Sequence, residues 1–196
     1  MIYHGFTLIE LLLVIAIIAI LAAIAIPNFM AAQIRAKVSG VKSELKMIVT
    51  AVEAYHIDNT AYPPYHYNQT GFYLGGWVTV WPMAEPFNGA NPVTTPITYI
   101  TKMPKDPFYT PSDGDPFESR NYGYVNWDQA QALIADDDFA AARQKYGSYR
   151  IHSIGPDRLG PDFGLAYDPT NGITSHGDIF YTAKNGFDSY GQVTTQ

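Results

Sequence analysis

The chain of 196 residues contains no cysteine. Disulfide bonds, thiolate metal sites and a cysteine nucleophile are therefore excluded. Basic residues are also few, because 12 Lys and Arg residues stand against 18 Asp and Glu residues and give a formal net charge of −6. A nucleic-acid-binding surface needs a basic patch or stripe, so we predict no nucleic-acid partner. The length suits one membrane anchor and one globular domain.

Charge is nearly absent from the N-terminal part of the sequence. No Lys or Arg precedes Arg35, and the apolar run from Phe6 to Ile26 contains a single charged residue, Glu10. The run is close to the ~20 residues that a helix needs to cross a bilayer core. A carboxylate inside such a span costs about 3 kcal/mol unless a cation meets it. We expect that cation to come from a neighbouring copy, as an α-amine freed by cleavage after Gly5, which indicates a subunit that polymerises.

Residues 5–10, Gly-Phe-Thr-Leu-Ile-Glu, resemble the processing signature of type IV prepilins and of the pseudopilins of type II secretion. The resemblance implies that a prepilin peptidase cuts after Gly5 and methylates the new amine of Phe6, and that Glu10 acts in assembly. Pro27 stands where the family usually has a proline in its first helix, and we expect a kink or local melting there. A secretory signal peptide would have a basic start and an Ala-x-Ala-like cleavage site, and the sequence has neither.

The predicted leader, residues 1–5, carries no fixed positive charge, whereas four basic residues follow the span. They are Arg35, Lys37, Lys42 and Lys46. By the positive-inside rule alone this bias would invert the topology. Two explanations stay open: the true start lies upstream, or the export route of the family overrides the charge bias.

Beyond Pro27 the apolar residues recur in alternating steps of four and three, which predicts one apolar stripe along a helix. The stripe consists of Ile34, Val38, Val41, Leu45, Ile48, Val52 and Tyr55. We expect the helix to end near Asp58–Asn59 and to be ~80 Å long. Its first half is expected to pack against other copies, and its second half to dock on a sheet.

The fold class predicted for the whole chain is α+β. Alternating aromatic and β-branched residues predict strands at 121–125, 146–155 and 177–181, and residues 128–145 have helical composition. Residues 62–96 follow no sustained period and are expected to form a long loop. Together with the resemblance, this implies the pilin fold, in which a long N-terminal helix packs on a small antiparallel sheet. The predicted segments are the leader 1–5, the membrane and assembly segment 6–27, the amphipathic segment 28–59 and a loop-rich head at 60–196.

The C-terminal loop is a candidate metal site, because residues 149–157 resemble a segment of the major pseudopilins. In those proteins this loop binds calcium, an ion that takes six to eight oxygen ligands. The alternative is that its aspartates only cap turns. The candidate ligands are Asp157, Asp162, Asp168, Ser175 and Asp178, with Asp157 and Asp178 the principal ones.

Catalysis is not predicted. His152 and Ser153 are neighbours in a predicted strand, so their side chains point to opposite faces and do not form a simple pair. The sequence also lacks a nucleophile elbow. We therefore predict no enzyme and no catalytic cofactor.

The predicted function is that of the major subunit of a helical filament, the pseudopilus of type II secretion. Its predicted partners are other copies of the chain, the prepilin peptidase and an inner-membrane assembly platform. Before assembly the chain is expected to cross the inner membrane once, with a periplasmic or extracellular head. Two alternatives are the major pilin of a type IV-like extracellular fibre and a non-polymerising minor pilin that serves as an adhesin. Glu10 favours polymerisation, since minor pseudopilins that initiate the tip often lack this carboxylate.

Overall fold

A computed structural model describes residues 7–64, 93–94, 96–109, 122–133, 137–159 and 165–187. Their elements are α1 (Leu8–Asn59), β1 (Gly123–Asn126), α2 (Trp127–Leu133), α3 (Asp137–Tyr146), β2 (Tyr149–Ser153), a 3₁₀ turn (Pro169–Asn171), β3 (Ile179–Thr182) and β4 (Gly186–Phe187). The chain divides into two compact units, unit 1 at residues 1–37 and unit 2 at residues 38–196. Helix α1 contributes to both.

The described part of unit 1 is the apolar first half of α1. Its large hydrophobic side chains from Leu8 to Met30 are 44 to 87% exposed. Among the described residues, α1 is the helix that is long and apolar enough to cross a membrane. The helix continues through Pro27 without interruption, so the local melting expected at this proline is not observed.

In unit 2 the second half of α1 buries the predicted stripe. Val41, Leu45, Ile48 and Val52 are fully buried, whereas Val38 and Tyr55 are partly buried against the same core. Each such aliphatic side chain contributes about 1.5–3 kcal/mol when it leaves water. The amphipathic pattern and the helix end at Asn59 are both confirmed.

The sheet has four antiparallel strands in the order β1-β2-β3-β4. The three predicted strands are confirmed with shifted ends, while the two-residue β4 was missed because it is too short to leave an alternating pattern. Residues 128–145 were predicted as one helical insertion, and the structure forms α2 and α3 there instead. Strand β2 is buried at all five positions, since it lies between two neighbours. The 62–96 loop falls largely outside the described residues.

Two carboxylates on α1 attach the helix to the sheet. The Tyr122 hydroxyl donates to Glu44, and the Tyr149 hydroxyl donates to Glu53 at 2.6 Å. Burial and the adjacent carboxylates raise the pKa of both tyrosines, so both hydroxyls stay protonated. Hydrogen bonds to a charged acceptor are stronger than neutral ones. They fix the position of the helix over the sheet, while the apolar stripe supplies the burial.

Candidate functional site

Glu10 lies in the first turn of α1 and makes a capping box with Thr7. Its Oε2 accepts hydrogen bonds from the Thr7 backbone N–H at 2.9 Å and from the Thr7 hydroxyl at 2.7 Å. In return, the Glu10 backbone N–H donates to the Thr7 hydroxyl at 3.3 Å. This reciprocal arrangement satisfies donors that a helix N-terminus otherwise leaves free.

Among the described residues, the donors that the Glu10 carboxylate meets are the two neutral ones of Thr7, so none of them compensates its negative charge. The first basic side chain along α1 is that of Arg35, about 37 Å away at 1.5 Å per residue. Gly5 and Phe6 lie outside the described residues. Their cleavage and methylation, and the assembly roles of Glu10 and Pro27, therefore stay predictions.

In the C-terminal loop, Asp157 holds the chain that precedes β3. Its Oδ2 accepts from the Gly177 backbone N–H at 3.2 Å and lies 3.3 Å from Nδ1 of His176. Its Oδ1 accepts from the Leu159 backbone N–H at 3.3 Å. Asp157 thus connects the two ends of the loop through hydrogen bonds.

Asp168 and Ser175 form a second part of the same loop. The Asp168 carboxylate accepts from the backbone N–H and the hydroxyl of Thr170, at 2.8 and 2.7 Å, and caps the 3₁₀ turn. These hydrogen bonds lower the pKa of Asp168. The Ser175 hydroxyl donates to the Asp168 carbonyl at 2.7 Å. These hydrogen bonds are those of a turn cap, which was the alternative to a calcium site predicted from the sequence.

Asp178 pairs with Arg150 of β2, an interaction that the sequence did not predict. Its Oδ2 lies 3.1 Å from Nη2 of Arg150, and both side chains are buried. The guanidinium also lies 4.5 Å from the ring centroid of Phe180. A buried charge requires a partner. An Arg between a tyrosine and an isoleucine in a predicted strand was the signal that could have indicated such a pair.

This geometry decides how well the loop fits calcium. The Asp178 carboxylate already faces a buried guanidinium, so it is poorly suited to bind a second cation. Asp157 and Asp168 belong to partly exposed parts of the loop, where their carboxylate oxygens can serve as ligands. The described residues contain no group of three His, Asp or Glu side chains placed to hold a metal. Asp162 lies outside them. The calcium site therefore stays a prediction that rests on Asp157 and Asp168.

His152 and Ser153 do not act on each other. The Ser153 side chain hydrogen-bonds Asp106, whose carboxylate also accepts from the Ile154 backbone N–H at 3.0 Å. The ring of His152 lies against Gly123 on the neighbouring strand, where an added Cβ would meet ring atoms at 2.2 to 2.8 Å. Burial and the nearby Arg150 lower the pKa of His152 well below its ordinary value. Both residues serve the packing of the sheet.

Comparison with known proteins finds relatives of the N-terminal motif and of most of the chain. The family model described as the prokaryotic N-terminal methylation motif matches residues 2–26. The type II secretion system core protein G of Escherichia coli (strain K12) is 33% identical over 168 residues, which cover 86% of this chain and 90% of that protein. This chain belongs to the type IV pilin and pseudopilin family. The match to core protein G extends well beyond the methylation motif.

Shorter alignments connect this family member to pilins. The type IV major pilin protein PilA of Myxococcus xanthus is 50% identical over 69 residues, which cover 35% of this chain and 31% of that protein. The type IV wide pilus major component PilA4 of Thermus thermophilus is 59% identical over 58 residues, covering 30% and 44%. The chain thus spans less than half the length of these two relatives. No solved structure matches it.

Proposed function

We propose that this protein is the structural subunit of a helical filament that is held together through α1. The observation that carries the proposal is the exposed apolar half of α1, whose first turn holds a carboxylate that meets no cation among the described residues. An apolar surface of this extent does not stay in water. A bilayer covers it before assembly, and the equivalent helices of other copies cover it in the filament.

Glu10 sets the register between copies in this account. Its partner is the methylated amine of Phe6 on a neighbouring copy, which the prepilin peptidase exposes by cutting after Gly5. Opposite charges a few ångströms apart attract by about 4 kcal/mol at an effective dielectric constant of 20. Apolar packing is non-directional and fixes no register by itself, so this pair determines which turn of one helix meets which turn of the next.

The form of filament that we favour is the pseudopilus of type II secretion. The relative matched over nine-tenths of its length is named as a type II secretion core protein, and the absence of cysteine excludes a disulfide-closed loop. The major pilin of a type IV-like extracellular fibre is the second candidate, favoured by the 50 and 59% identity to two major pilins. In both cases the chain crosses the inner membrane once before an assembly platform extracts it, and unit 2 lies on the far side of that membrane.

Isolation of filaments, followed by mass analysis of their subunits, tests the proposal. We expect filaments made of this chain whose mature N-terminus is N-methylated Phe6. Subunits with residues 1–5 intact would contradict the processing, and cells without any such filament would contradict the function. Recovery from sheared cell surfaces supports the extracellular fibre, whereas retention with the envelope supports the pseudopilus.

A further inference from the structure

An open groove lies in unit 2 where α1 ends. It has a volume of about 500 Å³ and is bounded by the last turn of α1, the chain that leaves this helix and the start of α2. Its lining residues are Tyr55, His56, Thr60, Ala61, Tyr62, Pro64, Asn126, Asp128 and Gln129.

Aromatic rings form much of the groove wall, and hydrogen bonds hold them in place. The rings of His56 and Tyr62 are stacked with centroids 4.1 Å apart and an interplanar angle of 9°. The Asn126 side-chain amide donates to the Pro63 carbonyl at 3.1 Å and thereby fixes the chain that carries Tyr62. Thr60 has a φ of +55° at the helix end, a conformation usually taken there by Gly or Asn.

The surroundings of the groove are negatively charged. Glu53 and Asp58 bond the hydroxyls of Tyr149 and Tyr99, at 2.6 and 2.8 Å, so their partners are neutral. Asp128 lines the groove and pairs with Arg143. Three carboxylates and one guanidinium leave two negative charges among these groups, and none of the lining residues is a Lys or Arg. A groove with aromatic walls and a negative field favours a cation.

We propose that this groove binds the side chain of Lys42 or Lys46 from a second copy of the chain. The inference rests on the proposed filament. Residues 35–46 of α1 contain four basic residues and one acidic residue, so they complement the groove in charge. The ammonium groups of Lys42 and Lys46 each lie 5.9 Å from the ring centroid of Phe187, and Lys46 is exposed.

The position of these lysines along α1 excludes a contact within one copy. Lys46 precedes His56 by ten residues and Lys42 precedes it by fourteen, which corresponds to about 15 and 21 Å along the helix axis. A lysine side chain does not span such a distance. In a filament of parallel helices, a neighbour displaced axially by about 15–21 Å brings one of these ammonium groups level with the groove.

The absence of native cysteine makes crosslinking a clean test. Ala61→Cys is combined in the full-length protein with Lys42→Cys or with Lys46→Cys, and assembled filaments are treated with a short bismaleimide. A bismaleimide is needed because a lysine that enters the groove keeps the Cα atoms too far apart for a disulfide. The matched control combines Ala61→Cys with Lys184→Cys, which replaces an exposed lysine beyond β3.

We expect covalent dimers and higher multimers from one of the two test pairs, in filaments only, and at most one-tenth of that yield from the control. Filaments that form normally and give no crosslink above the control from either pair would overturn the inference and leave the filament function intact. An absence of filaments from the unsubstituted chain would overturn both. As an independent readout, Tyr62→Leu should lower the salt concentration at which filaments dissociate, and an unchanged value would contradict the role of the aromatic wall.

Discussion

The two halves of α1 use similar apolar residues in opposite ways. From Leu8 to Met30 the large hydrophobic side chains are exposed, whereas Val41, Leu45, Ile48 and Val52 are fully buried beneath the sheet of their own chain. The first half therefore contributes no core to the isolated subunit and is available to lipid or to other copies. The second half holds unit 2 together. Stability and assembly should be separable by mutation along a single helix.

Charged groups show the same contrast between the units. The buried carboxylate of Asp178 in unit 2 has its counter-ion, Arg150, in the same chain. Within the described part of the chain, the carboxylate of Glu10 in unit 1 meets the neutral donors of Thr7 and no cation. Loss of the Asp178 carboxylate should destabilise the folded subunit, whereas loss of the Glu10 carboxylate should affect only its assembly with other copies.

The largest effect on stability is expected from Asp178→Asn. It removes the negative charge that faces the buried Arg150 guanidinium, and removing one member of a buried pair costs about 3–5 kcal/mol. Thermal unfolding of the full-length protein in detergent measures the loss. Asp168→Asn is the matched control, because Asp168 is only half-buried and an asparagine also caps its turn. Equal melting temperatures for both variants would show that the ion pair does not stabilise unit 2.

A pair of leucine substitutions sharpens the comparison between the halves of α1. Leu45→Ala should destabilise unit 2 by about 2–5 kcal/mol, because it leaves a cavity in the core. Leu21→Ala, in the exposed half, should leave the unfolding of unit 2 unchanged. Urea titration of both variants in the same detergent gives the two free energies. A comparable loss from Leu21→Ala would mean that the first half of α1 contributes to the core after all.

The sequence predicted those parts of the structure that depend on repeating local patterns. The buried stripe of α1 and its end at Asn59 follow from the spacing of apolar residues over about six turns. The three longer strands follow from alternation. The two-residue strand β4 is too short to repeat a period, so no pattern indicated it.

The candidate sites were predicted unevenly for a related reason. Glu10 is conspicuous in sequence because every residue around it is uncharged. The Arg150–Asp178 pair is hidden, because its members are 28 residues apart and meet only when β2 and β3 align. Sequence therefore grouped Asp178 with its neighbours in a calcium loop, whereas the structure commits its carboxylate to Arg150. The groove at the end of α1 likewise combines residues that are about 70 positions apart.

A smaller loss of stability of unit 2 is expected at acidic pH. The pKa of His152 is lowered in the folded protein by burial and by Arg150, so below its ordinary value of 6.5 the unfolded chain binds a proton that the folded chain does not. Stability should therefore fall as the pH falls through about 6.5. The raised pKa of Asp106 acts in the opposite direction at lower pH. Melting temperatures between pH 7.5 and 5.5 measure how steeply stability depends on pH, and His152→Gln should weaken this dependence. The same pH dependence in that variant would show that groups other than His152 cause it.

The smallest effect is expected from calcium. If Asp157 and Asp168 hold the ion, millimolar calcium should stabilise the full-length protein by about 1–2 kcal/mol relative to chelator, by mass action. The modest size follows because Asp178 is already paired with Arg150. Differential scanning calorimetry with calcium and with chelator makes the comparison, and magnesium serves as the control ion. Identical melting temperatures with calcium, chelator and magnesium would show that the aspartates of the loop only cap turns.

In the proposed filament, the charge of Glu10 acts between copies and not within one. Filament yield and membrane fractionation of cells that carry Glu10→Ala test it most directly, with Thr7→Val as the control that removes the capping hydroxyl but keeps the carboxylate. We predict that Glu10→Ala stays in the membrane, because its span is more apolar, and that its filament yield falls at least about tenfold, while Thr7→Val assembles normally. Normal filaments from Glu10→Ala would contradict the account, because apolar packing of α1 would then suffice for assembly.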